Sequence, residues 1–145
     1  MMSIAQQPRF QIEDLMIEAD KVAHVQLNNP LEHALLVLVK SGYSAVPVLD
    51  SSFKLHGIVS KTLILDALLG MERIEFEKLE DLLVSDVMNA DIPRLTMQSS
   101  MSTVLEAVVD YPFVCVEDKE QIFSGIVTRR NLLLKLRNEW WMRGK

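Results

Sequence analysis

The sequence predicts an α+β fold: two copies of one β-α-β-β-α module, packed sheet to sheet as a pseudo-twofold unit. Three observations carry that prediction. The chain repeats itself, since His24-Val25-Gln26-Leu27-Asn28-Asn29-Pro30-Leu31 aligns with Arg94-Leu95-Thr96-Met97-Gln98-Ser99-Ser100-Met101. Apolar residues then recur at helical spacing, at Leu31, Ala34, Leu35 and Leu38 and again at Met101, Val104, Leu105 and Val108. Finally, two short apolar runs follow in each copy. Val46-Pro47-Val48-Leu49-Asp50 matches Val114-Cys115-Val116-Glu117-Asp118, and Gly57-Ile58-Val59-Ser60 matches Gly125-Ile126-Val127-Thr128.

In chain order, each copy opens with a helical lead-in, Asp14-Leu15-Met16 in the first and Asp86-Val87-Met88 in the second, and Ala19-Asp20 corresponds to Ala90-Asp91. A short extended segment and the first helix follow. Ser41-Gly42 has no counterpart in the second copy. Two strands come next, joined by the turn formers Asp50-Ser51-Ser52 and Asp118-Lys119-Glu120. Ser60 and Thr128 stand where strand gives way to helix, the place for a hydroxyl that caps a free backbone N–H. The repeats are read as residues 10–70 and 85–141 of one intertwined module. Residues 71–84 form an amphipathic connector in which Phe76, Leu79 and Leu83 share a face. Either half alone folds only marginally, because it buries too little of its surface. Packing the halves together leaves two related clefts where strand ends and helix starts meet.

Composition narrows the function classes. The 145 residues are 49% hydrophobic and 24% charged, the balance of a soluble globular protein. A net charge of −5 repels nucleic acid and anionic membrane, so any anion needs a local cationic cluster. Residues 34–39 are the longest wholly apolar run, far short of the ~20 residues of a membrane span. Residues 1–9 lack the apolar stretch of a signal peptide, and Cys115 stands alone, so a reducing cytoplasm is expected.

Catalysis is not expected. His24, His33 and His56 lack metal-binding spacing, no nucleophile or phosphate-loop motif occurs, and Cys115 lies in an apolar strand pattern. No cofactor or metal is expected either. The start of the last helix is different: Thr128-Arg129-Arg130-Asn131 brings two guanidinium groups to backbone N–H groups and the positive end of a helix dipole. Arginine is disfavoured there unless something negative is bound. The competing account is surface ion pairing with the acidic connector. The matching Ser60-Lys61-Thr62-Leu63 is less basic, so the clefts are unequal. Lys21 offers a third cation, small Ala23 leaves room for a flat group, and Tyr43 offers either a stacking face or a cap on the core edge. His24 reads as a satisfied histidine at the edge of the core. Of the adjacent Trp140 and Trp141, one is expected to pack while the second marks an interface.

This doubled pattern resembles a tandem CBS-domain pair, a Bateman module, over about residues 10–140. Met16-Ile17-Glu18-Ala19-Asp20-Lys21-Val22-Ala23-His24-Val25, the run 31–38, Glu72-Arg73-Ile74-Glu75-Phe76-Glu77-Lys78-Leu79 and Thr128-Arg129-Arg130 are similar to stand-alone CBS proteins of the CbpB/DarB type, bacterial cyclic di-AMP receptors. The resemblance implies a non-enzymatic, homodimeric, cytoplasmic sensor. It implies a dinucleotide site built from Lys21, Val22, Ala23, Tyr43, Ala45, Thr128, Arg129, Arg130 and Asn131. It also implies a partner in the ligand-free state, a (p)ppGpp synthetase/hydrolase of the stringent response or another metabolic enzyme.

One departure bears on the ligand. The acidic position that general CBS nucleotide sites use for ribose hydroxyls is Leu63 in the first copy and Asn131 in the second. That loss disfavours AMP or ATP and suits a ligand whose ribose 3′-oxygens are already esterified. A module sensing AMP, ATP or S-adenosylmethionine is the alternative, and a ligand-free dimerisation adaptor is a second.

Overall fold

The computed structural model describes residues 11–143, the side chain of residue 143 excepted. The readings of residues 1–9 as free of a signal peptide and of residue 10 as the start of the first repeat lie outside the described residues. The elements in chain order are α1 (Ile12–Leu15), β1 (Ile17–Glu18), a 3-10 turn (Ala19–Lys21), β2 (Val25–Gln26), α2 (Leu31–Ser41), β3 (Ala45–Leu49), β4 (Leu55–Ser60) and α3 (Lys61–Leu68). There follow α4 (Lys78–Asp81), α5 (Val84–Val87), β5 (Arg94–Leu95), α6 (Met101–Asp110), β6 (Phe113–Glu117), β7 (Phe123–Thr128) and α7 (Arg129–Arg143). The α+β class and the doubled order of elements are as the sequence predicts.

The chain forms two compact units, and neither is a contiguous repeat. The first holds residues 11–21, 93–119 and 124–143, the second residues 22–92 and 120–123. In the first unit the sheet order is β1-β7-β6-β5, with β5 parallel to β6 and β1 antiparallel to β7 through Ile17↔Ile126 and Glu18↔Gly125. The lead-in of the first copy therefore sits on the last strand of the second. Ile12, Leu15, Leu95, Val104, Val108, Val114, Val116, Val127 and Leu132 form this unit's core. In the second unit the order is β2-β3-β4, with β2 parallel to β3 and β3 antiparallel to β4. Here the second copy's lead-in returns the exchange: Asn89 bridges Ile58, with Ile58 N–H donating to Asn89 O at 3.0 Å and Asn89 N–H to Ile58 O at 2.8 Å.

That exchange explains the paired glycines. A Cβ on Gly57 would lie 2.4 Å from Asn89 O, and one on Gly125 2.2 Å from Ile17 O. Only a residue without a side chain lets each lead-in carbonyl approach so closely. The missing Ser41-Gly42 has a local cause as well. Gly42 closes α2 in the left-handed region (φ +77°), its N–H donating to Leu38 O at 3.0 Å, whereas Tyr111 closes α6 in an extended conformation. The two N-caps form as expected: Leu63 N–H donates to Ser60 Oγ and Asn131 N–H to Thr128 Oγ1, both at 3.0 Å.

The connector departs from expectation. Helix covers Lys78–Asp81 and resumes only at Val84, and Phe76 (61% exposed) and Leu83 (39%) face outward, while Leu79, Leu82 and Val84 pack on the second unit's core. The chain turns extended at Leu82 because residues 82–85 pair with residues 27–31. Leu31 N–H donates to Leu82 O, Val84 N–H to Asn29 O and Ser85 N–H to Leu27 O. That ladder sets which side faces inward. No described helix is long and apolar enough to cross a membrane.

Candidate functional site

The start of α7 lies directly on the buried strand β7, and Thr128 fixes the junction as N-cap. Fewer N–H donors are free there than the sequence argument assumed. Arg129 N–H donates to Pro112 O at 2.9 Å and Asn131 N–H to Thr128 Oγ1, leaving Arg130 N–H open among the described residues. The first copy repeats this geometry, with Lys61 N–H donating to Ser44 O at 3.0 Å.

The two arginines have different situations. Arg129 Nε donates to Val108 O at 2.7 Å and its Nη2 approaches Val109 O at 3.4 Å, so its guanidinium caps the C-terminal end of α6. A cation is favoured at a helix C-terminus, which accounts for Arg129 without any bound anion. The dipole argument therefore applies to Arg130 alone. Arg130 is exposed and makes no hydrogen bond or ion pair among the described residues, and neither arginine pairs with the connector. The connector's charges pair locally instead, Arg73 with Glu77 and Lys78 with Glu75. The Arg73 guanidinium holds the Glu77 carboxyl down at about 2.

Arg129 and Arg130 line a cleft of about 430 Å³ with Pro112, Leu133, Leu134 and Arg137. Arg130 and Arg137 beside apolar Pro112, Leu133 and Leu134 offer positive charge and an apolar surface in one place. The sequence reading missed Pro112, Leu133, Leu134 and Arg137. A signal for three of them was present, since Arg130, Leu133, Leu134 and Arg137 stand at i, i+3, i+4, i+7 on one helical face.

Of the remaining expected residues, Lys21 belongs to the same unit as residues 128–131, at the end of the 3-10 turn, exposed and unpaired among the described residues. The Asn131 amide approaches Leu15 O at 3.5 Å, which ties the start of α7 to the lead-in. Val22, Ala23, Tyr43 and Ala45 belong to the second unit. Val22 and Ala45 are buried, and Ala23 packs half-buried against the core. Tyr43 is 41% exposed. His24 is the satisfied core-edge histidine that the sequence favoured: Nδ1 lies 3.2 Å from Val22 O and the ring meets Phe53 edge-on at 5.3 Å.

Trp140 and Trp141 correct one expectation. Both are exposed, at 78% and 62%, so neither packs within the chain, because the inward stripe of α7 runs through Leu132 and Leu136. Cys115 is buried in β6, and burial pushes its thiol up to about 12. No group of three metal-ligating side chains occurs among the described residues.

Comparison with known proteins gives this geometry its context. The CBS domain family matches residues 12–70 and 84–138. The chain is 53% identical over 125 residues to the cyclic di-AMP receptor B of Bacillus subtilis (strain 168), covering 86% of this chain and 85% of that protein. A crystal structure of CbpB from Listeria monocytogenes in complex with c-di-AMP matches with a TM-score of 0.83 at 55% identity, over 90% of this chain and 97% of that one. A CBS domain-containing protein from Bacillus anthracis str. Ames Ancestor matches with a TM-score of 0.86 at 51% identity, over 94% and 99% of the two chains.

Proposed function

The chain belongs to the CBS-domain family, and on that premise we propose that it is a non-enzymatic cytoplasmic sensor of cyclic di-AMP that regulates a partner enzyme according to ligand occupancy. The observation that carries the reading is Arg130, without a partner among the described residues, beside Arg129 in the apolar-floored cleft of α7. A relative 53% identical and named a cyclic di-AMP receptor supports the choice of ligand. Lys21, Thr128, Arg129, Arg130 and Asn131 contribute cations, donors and the helix start from the first unit. The resemblance adds Val22, Ala23, Tyr43 and Ala45 from the second, where Ala23 admits a flat base.

Arg130 neutralises a phosphodiester, and Arg129 adds to the local field while it holds α6. A carboxylate at position 131 would repel that phosphodiester, and Asn131 does not. The protein acts as a homodimer, for which the exposed Trp140 and Trp141 supply contact area. Its ligand-free form binds a (p)ppGpp synthetase/hydrolase or another metabolic enzyme, and ligand releases it.

Calorimetry with cyclic di-AMP, AMP, ATP and S-adenosylmethionine tests the ligand. Cyclic di-AMP is expected to bind well ahead of the others, and preference for a mononucleotide or no binding refutes the reading. Arg130→Ala weakens cyclic di-AMP binding about ten- to a hundredfold, the weight of one charge-assisted hydrogen bond. Replacing Ala23 with a bulky residue blocks the base. A pull-down with and without cyclic di-AMP tests partner release.

A further inference from the structure

We infer that Arg137 is a ligand-contacting residue that makes the α7 cleft selective for an anion with two separated phosphodiesters over a mononucleotide. The inference rests on the proposed sensing of cyclic di-AMP and adds to it a residue that neither the sequence motif nor the helix start points to.

Arg130 and Arg137 lie on one face of α7, about 10 Å apart along its axis, with Leu133 and Leu134 between them. All four line the same cleft. Both guanidinium groups are exposed, and neither makes a hydrogen bond or an ion pair among the described residues. The lining contains three arginines and no acidic residue, in a protein whose net charge is −5. Arg73, Lys78 and Arg94 each meet an acid, but among the described residues these three do not, and as like charges they repel one another. An occupant with negative charge at two places relieves that repulsion at both ends. A ring dinucleotide carries its phosphodiesters on opposite sides of the macrocycle and a purine face to lay on Leu133, Leu134 and Pro112. A single phosphate reaches Arg130 and leaves Arg137 unanswered.

Calorimetry on the full chain compares wild type with Arg137→Gln and Arg137→Lys, using cyclic di-AMP and AMP as titrants. Because Arg137 is exposed, circular dichroism is expected to show the variants folded. Arg137→Gln should weaken cyclic di-AMP about ten- to a hundredfold and Arg137→Lys less, while the weak affinity for AMP stays where it was. Wild-type affinity for cyclic di-AMP in Arg137→Gln overturns this inference and leaves the sensor reading intact. An equal loss for AMP overturns the selectivity. Wild type that fails to bind cyclic di-AMP overturns the sensor reading itself, and this inference with it.

Discussion

Gly57→Ala tests whether the exchanged lead-ins dictate the glycine in each Gly-Ile-Val strand. The added Cβ would lie 2.4 Å from Asn89 O and 3.1 Å from Ala90 Cα, both backbone atoms that cannot swing aside. Ordinary contact begins near 3.4 Å, so the Asn89 carbonyl must retreat by about 1 Å. That movement breaks the reciprocal Ile58–Asn89 pair, whose two hydrogen bonds measure 3.0 and 2.8 Å. Two lost bonds cost about 2 kcal/mol and overpacking about 1–3 kcal/mol more, a total of roughly 3–5 kcal/mol. With a urea slope of about 2 kcal/mol/M, the unfolding midpoint falls by roughly 1.5–2.5 M. Gly42→Ala is the control: no atom lies within 4 Å of its added Cβ, and only the left-handed backbone (φ +77°) resists it, at about 1–2 kcal/mol. Urea unfolding followed by far-UV circular dichroism reads both. A Gly57→Ala midpoint no lower than that of Gly42→Ala would refute the reasoning, because close approach would then cost no more than backbone handedness.

Three further outcomes are expected. Arg129→Ala loses roughly 1–2 kcal/mol of stability along with ligand affinity, because it uncaps the end of α6, whereas Arg130→Ala keeps wild-type stability; equal midpoints for the two in urea would contradict this. The Asp50 carboxyl is held below its usual 3.8 by the hydrogen bond from His56 and by the Lys54 and Ser52 N–H groups, and Arg73 holds Glu77 near 2 against 4.5. Both lowered groups stabilise the fold above those usual values and lose the contribution as pH falls through the folded ones. Unfolding midpoints should therefore decline below about pH 4.5, less steeply in Asp50→Asn, and an unchanged slope in that variant counts against the His56 contact. Cys115, with its thiol pushed up to about 12, should resist alkylation in the native protein at pH 8 and react only as the chain unfolds, which mass spectrometry in a urea series reads out.

The repeat made most of the local structure legible. Strand, turn and helix positions follow from apolar spacing and turn formers, and even Ser60 and Thr128 cap as their position predicts. The connector was misread because its helical spacing competes with a backbone ladder to residues 27–31 that no local pattern encodes. The sequence offers Arg129 a bound anion or an ion pair with the connector, whereas its role on α6 depends on the carbonyls of Val108 and Val109, some twenty residues away. Arg137 was overlooked because a lone arginine in the middle of a helix has no significance until the wall opposite it is known.

Sequence alone determined the doubled module, its element order and the cationic start of the final helix, because these depend on residue type and short-range spacing. Tertiary structure decided that each lead-in leaves its own copy to cover a glycine of the other, and that Arg129 caps α6 while Arg130 has no partner among the described residues. Both outcomes depend on backbone carbonyls, which every residue carries alike, so their destination is invisible until the chain has folded.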